Sequence, residues 1–295
     1  MSDLPQTEGR NPRSAGLDRL DTSTLVGVLA EEQREAVEAV LGQREVIAAV
    51  VDEIAARLRA GGRLHYIGAG TSGRLGFLDA SEMPPTFGTP LGFICAHIAG
   101  GRDALTRAIE GAEDDGEAGA REMRGHVAPG DALVGISASG GAPYVVAAIE
   151  AARAIGAYTV GVANSEDTPV HRAAEAAIVL RTGPEPLTGS TRLKAGTSQK
   201  LLLNTISTAV MVRLGKVYDN LMVDVVATNE KLRGRARRLV QTLTGRDARE
   251  ATELLAAAGG SVKLAALMGR AGLDAEAAAA VLARHGGSLR ASLGE

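Results

Sequence analysis

A chain of 295 residues that is 45% apolar and 23% charged has enough apolar material to bury a large α/β core and a small appendage. With 2% aromatic residues, no Trp and a net charge of −3, it lacks stacking surfaces and a basic face, which excludes nucleic acid as an expected partner. Cys95 is the sole cysteine, so a disulfide framework and a multi-cysteine zinc site are excluded. The polar start carries no apolar targeting stretch and no run is long enough to span a membrane, so the expectation is a cytoplasmic protein without membrane contact.

Residues 1–21, rich in Gly, Pro and Ser, read as an irregular lead-in. Apolar spacing predicts helix over 22–60, broken near Gly42 and ended by Gly61 and Gly62. Short apolar runs then alternate with amphipathic stretches. Strands are predicted at 63–67, 91–98, 131–137, 157–162 and 177–180. Helices are predicted at 72–82, in pieces up to 126, and at 143–155, 170–176 and 191–214. This alternation predicts a mostly parallel sheet with helices on both faces, whose ligands bind beyond the C-terminal ends of the strands. The pattern changes after Thr228: a basic amphipathic helix at 231–243 precedes three short helices at 247–258, 261–269 and 274–285. The expected organisation is a lead-in (1–21), an α/β domain with flanking helices (22–243) and a small all-α domain (244–295).

Three loops at strand ends could carry chemistry. Gly68-Ala69-Gly70-Thr71-Ser72-Gly73-Arg74 matches the dinucleotide fingerprint, but no carboxylate ends the next strand, which closes His97-Ile98-Ala99-Gly100. The same glycines suit a phosphate, with Thr71 and Ser72 at a helix N-terminus; the plain alternative is a tight turn without a ligand. In the second loop, Ser137 and Ser139 could reach phosphate oxygens or serve merely as helix caps, with Pro143 in the first helical turn. The third, residues 188–197, brings Ser190, Thr191, Arg192 and Lys194 to a helix start, as an anion site or as a solvated basic turn.

Among carboxylates, Glu82 stands out. Pro84 and Pro85 are expected to stop its helix, and an acid at a helix C-terminus opposes the helix dipole, which hints at a functional demand. Glu110, Glu113, Asp114, Asp115 and Glu117 form an acidic cluster that is mostly solvated, with one member available for proton transfer. The five histidines show no metal-ligand spacing, so no metal is predicted, and His65 and His97 read as core groups.

The motifs 68–74, 78–88 (LDASEMPPTFG), 98–101 (IAGG), 110–114 (EGAED), 188–190 (TGS), 194–197 (KAGT) and 220–230 (NLMVDVVATNE) resemble the signature of N-acetylmuramic acid 6-phosphate etherases. That family has the sugar isomerase (SIS) fold, a three-layer α/β/α sandwich, and is similar to the glucokinase regulatory protein. The resemblance covers nearly the whole chain. It implies a carbon–oxygen lyase of peptidoglycan amino-sugar recycling that converts N-acetylmuramate 6-phosphate and water to N-acetylglucosamine 6-phosphate and D-lactate. It also implies a homodimer with sites near the subunit interface. The family's proton donor falls on Glu82 and its second essential carboxylate on Glu113. The phosphate falls to Gly70, Thr71, Ser72, Ser137, Ser139, Ser190 and Lys194. One departure stands beside the second loop: where the family carries Arg-Thr, this chain has Gly141 and Ala142, which removes a cation and a hydroxyl.

Elimination through the ring-opened aldehyde needs two proton-transfer groups and a grip on the phosphate, and calls for no metal or redox cofactor. Two other readings use the same fold: an aldose–ketose sugar-phosphate isomerase, and a sugar-phosphate-binding regulator without catalysis.

Overall fold

Short aliphatic runs between glycine-bearing turns form five parallel strands: β1 (Leu64–Gly68), β2 (Ile94–Ile98), β3 (Ala132–Ile136), β4 (Tyr158–Ala163) and β5 (Ala176–Val179). The strand order is β2-β1-β3-β4-β5. The computed structural model describes residues 6–227 and 229–295; residues 1–5 of the lead-in and Thr228 of the 220–230 motif lie outside the described residues. The chain divides into two compact units, one built from the residues up to Ala80 with Gly92–Ser207, the other from Ser81–Leu91 with Thr208–Glu295.

The first unit is the three-layer sandwich. Strand residues alternate between its two faces. On one face lie Ile67, Leu133 and Ala163, which pack with Met123 of α5 (Gly116–His126), Val145, Ile149 and Ala152 of α6 (Pro143–Ile155) and Val170 of α7 (Pro169–Ala173). The other face carries Tyr66 and Ile98 against α4 (Gly70–Phe87), with α8 (Lys194–Arg213) joined to α4 and β1 through Asp79. The fold is therefore the α/β/α architecture expected. The helix predicted over 22–60 is three: α1 (Thr22–Glu31), α2 (Arg34–Leu41) and α3 (Arg44–Arg59).

One expectation fails for a clear reason. Pro84 and Pro85 do not stop α4, which runs on to Phe87. They remove two helical hydrogen bonds but leave the backbone helical; termination comes at Gly88, whose N–H donates to the Pro84 carbonyl at 3.0 Å and whose φ is +61°. Glu82 thus lies more than a turn before the helix end.

The second unit holds a hairpin of β6 (Val217–Tyr218) and β7 (Leu221–Met222), followed by α9 (Glu230–Thr244), α10 (Ala248–Ala257), α11 (Val262–Ala271), α12 (Ala275–Arg284) and α13 (Leu289–Ser292). Val223, Val240, Ala251, Leu267, Ala278 and Leu289 form its core. Among the described residues no single helix is long and apolar enough to cross a membrane; α10 and α11 pass that test only as a pair bent by 113°.

Candidate active site

In a sheet of this order the chain leaves β1 in one direction and β3 in the other, which opens a crevice between their C-terminal ends. Gly68 pairs with Ile136 across that point, so the loops that begin at Ala69 and Ser137 are its two walls. The glycines of the first loop have different tasks. A Cβ on Gly68 would lie 2.7 Å from the Gly73 nitrogen, and one on Gly73 would lie 2.5 Å from Ile98 Cγ1; both are required by helix–strand packing. Gly70 has φ +52° and open space where a Cβ would be. It is the exposed glycine of the loop, with Thr71 half-buried and Ser72 buried beside it in the first turn of α4, whose N–H groups lack helical partners.

The serines differ in what they have left to donate. Ser137 Oγ accepts the Gly140 N–H at 3.1 Å and Ser139 Oγ accepts the Gly141 N–H at 3.3 Å, and neither hydroxyl donates to an acceptor among the described residues. Ser72 Oγ instead donates to Gln199 Oε1 at 2.8 Å. Gln199 Nε2 donates to Asn164 Oδ1 at 2.9 Å, and Asn164 Nδ2 faces the Leu180 carbonyl, Thr182 and Ser198. This buried amide chain fixes the orientation of Ser72. Neither amide gave a signal in the sequence, because each gains meaning only from partners far along the chain.

The third loop meets the first: a Cβ on Gly196 would lie 3.4 Å from Thr71 Cγ2. Ser190 is half-buried in the turn before α8, and Arg192 is exposed. Lys194 is fully buried, with Nζ 2.6 Å from Glu35 and 3.1 Å from Glu32. The N–H groups of Lys194 and Ala195 donate to the carboxylate of Glu185 at 2.9 and 3.0 Å, so an internal anion caps this helix. Burial raises the Glu185 pKa against those two bonds.

Glu113 lies in a 3-10 turn, Ala112–Asp114, that packs against α6. It is exposed, whereas its neighbours have structural uses: Asp115 caps α5 by accepting the Ala118 N–H at 2.9 Å, and Glu117 pairs with Arg124 at 3.1 Å. Arg74, read in the sequence only as part of the motif, braces the approach to this turn by donating to the carbonyls of Ala104 (2.9 Å) and Arg107 (3.1 Å). Ala142 takes the N-cap position of α6 without a side-chain cap, packs in the core and leaves Gly141 exposed. Glu82, in the second unit, is exposed. The structure thus brings together Gly70, Thr71, Ser72, Ser137, Ser139 and the turn of Glu113 within the first unit, with Ser190 at their border and Lys194 committed to Glu32 and Glu35.

Comparison with known proteins agrees with this architecture. The glucokinase regulatory protein N-terminal SIS domain matches residues 46–153, and the SIS domain matches residues 112–209. A solved structure from Bacteroides fragilis, described as a candidate phosphosugar isomerase involved in capsule formation, superposes with a TM-score of 0.50 at 18% identity, over 66% of this chain and 94% of its own. The N-acetylmuramic acid 6-phosphate etherase of Deinococcus radiodurans is 50% identical over 100% of this chain and 97% of its own length. That of Symbiobacterium thermophilum is 54% identical over 88% of this chain and 86% of its own. With such identity over its full length, the chain belongs to the N-acetylmuramic acid 6-phosphate etherase family.

Proposed function

We propose that this chain cleaves the D-lactyl ether of N-acetylmuramate 6-phosphate, with the phosphate at the β1/β3 crevice and the protons moved by Glu82 and Glu113. The observation that carries the reading is the pair of serine–glycine loops on either side of that crevice, with the Ser137 and Ser139 hydroxyls free to donate and Gly70 open to an approaching anion. Thr71, Ser72 and the first turn of α4 complete the phosphate cradle, and Ser190 and Lys194 hold the loop that borders it.

The ether itself is a poor leaving group, so the substrate's own aldehyde is used. In the ring-opened sugar a base takes the C2 proton, which the C1 carbonyl makes acidic. The C3–oxygen bond then breaks, and an acid protonates the departing lactate oxygen. Water adds to C3 of the unsaturated aldehyde and C2 regains a proton, which balances the hydrolysis. Glu82 is assigned as the acid and Glu113 as the base or water-activating group.

The working form is a homodimer. Leu25, Val26, Val28 and Leu29 lie on α1, yet no residue of α1 is buried, and Val26 and Leu41 are each 59% exposed. Such an apolar strip calls for a covering surface, and a second copy supplies one. The test of function is direct: N-acetylmuramate 6-phosphate should yield D-lactate and N-acetylglucosamine 6-phosphate in equal amounts, and the unphosphorylated sugar should be a poor substrate. An isomerase would release no lactate, and a regulator would bind without turnover.

A further inference from the structure

We propose that His97, Glu122 and His126 form a binding site for a divalent transition-metal ion of the zinc type, at the end of α5 remote from Glu113. The argument starts with a count of hydrogens. A buried chain of contacts runs from Asp131 Oδ2 to His65 Nε2 (3.2 Å), from His65 Nδ1 to His97 Nε2 (3.1 Å) and from His97 Nδ1 to Glu122 Oε1 (2.7 Å). Three contacts need three hydrogens, and two neutral imidazoles supply two.

The carboxylate at the buried end settles which contact is short. Asp131 also accepts the Arg63 and Ala128 N–H groups at 2.8 and 2.9 Å and the Arg63 guanidinium at 3.0 Å, so it is a fixed acceptor and takes the His65 Nε2–H. His65 Nδ1 then accepts from His97 Nε2–H. What remains is a lone pair on His97 Nδ1 facing a carboxylate oxygen. A cation fills that place, either the proton of an imidazolium–carboxylate pair or a metal ion that displaces it.

His126 adds the third ligand atom that a metal ion needs and a proton does not. It follows Glu122 by one helical turn, so both side chains share a face of α5. Its Nδ1–H donates to the Glu122 carbonyl at 2.8 Å, which leaves Nε2 with a lone pair. One ligand atom from each of the three residues lies within 4.8 Å of the others, so side-chain rotations on the exposed α5 residues bring them to the spacing of about 3.4 Å that zinc–ligand bonds of about 2.0–2.2 Å require. The relay His97–His65–Asp131 is the kind of outer hydrogen-bond support that holds a metal-bound imidazole in one tautomer. Two imidazoles and one carboxylate suit zinc, cobalt or nickel better than magnesium or calcium. With His126 54% exposed and Glu122 38% exposed, water has access to a fourth position. The sequence hid the site because one ligand comes from β2 and the other two from α5.

The test uses the full-length protein after chelation and dialysis, titrated with CoCl2 and then with ZnCl2. One cobalt ion per chain should bind with visible ligand-field absorption, and zinc should displace it. His126→Ala and Glu122→Gln, at partly exposed positions where folding is not at stake, should each weaken binding by roughly 100-fold. Sub-stoichiometric binding, or affinity unchanged in both variants, overturns the site. No substrate is present, so the outcome is independent of the lactate-forming reaction.

Discussion

Asp79 and Glu82, three residues apart on α4, are carboxylates set to different tasks. Asp79 is 2% exposed and accepts from Tyr66 Oη (3.0 Å), Asn204 Nδ2 (2.7 Å) and Ser207 Oγ (3.0 Å), which ties the helix to β1 and α8. Burial, followed by the charge of Asp79, pushes the Tyr66 phenol well above its usual range, so it stays a donor. Asp79→Ala leaves the buried donors of Tyr66 and Ser207 and the half-buried amide of Asn204 without their acceptor, and a loss of about 2–4 kcal/mol in urea unfolding is expected. Glu82 is exposed and serves chemistry in the proposed mechanism. Glu82→Gln keeps the shape but cannot donate a proton; turnover should fall by roughly 10²–10⁴-fold with substrate binding and stability retained. Near-normal turnover in Glu82→Gln would remove it from the mechanism, and an Asp79→Ala protein as stable as the parent would contradict the anchoring role.

At the scale of elements, the first unit is pinned by an ion cluster that joins the lead-in, α2 and the start of α8. Glu32 accepts from Asn11 and Arg13 at 2.6 Å each and from Lys194 at 3.1 Å; Lys194 and Arg13 both also reach Glu35. Burial opposes ionisation of Glu32, but the bonds from Arg13, Lys194 and Asn11 outweigh it and hold its pKa at about 2 against 4.5 for the free group. Between those values the unfolded chain binds more protons than the folded one, so stability is present above pH 4.5 and is lost as pH falls toward 2. Glu32→Gln should be less stable than the parent at neutral pH, and the two should converge in urea titrations taken down to about pH 2. A constant difference across that range would contradict the linkage. This cluster also shows where sequence reading stops. Lys194 is a cation in a loop motif by sequence, yet its partners lie 162 and 159 residues away, beyond any local window. By contrast α6 was legible to the residue, because Pro143 opens it and Gly156, at φ +101°, closes it. The prolines of α4 misled because their lost hydrogen bonds were local while the packing that keeps α4 helical was not. Strands β6 and β7, two residues each, are too short to show a period.

At the scale of the whole molecule, the unburied apolar strip on α1 predicts the assembly. Light scattering should give a dimer for the parent chain, and Val26→Glu, which places a charge on a position 59% exposed in the single chain, should shift it toward monomer without loss of helical signal. A monomeric parent would contradict the homodimer. The alternation of strand and helix was readable in the sequence; the division that groups Ser81–Leu91 with Thr208–Glu295 was not, since it joins segments far apart in the chain. The central claim is that lactate leaves by elimination, and isotopic labelling tests it most directly. In ¹⁸O-water the label should enter N-acetylglucosamine 6-phosphate at C3 and be absent from the lactate hydroxyl, and in D2O the same product should gain deuterium at C2. Label in the lactate hydroxyl, with no exchange at C2, would mean that water attacks the lactyl carbon, and would contradict the roles given to Glu82 and Glu113.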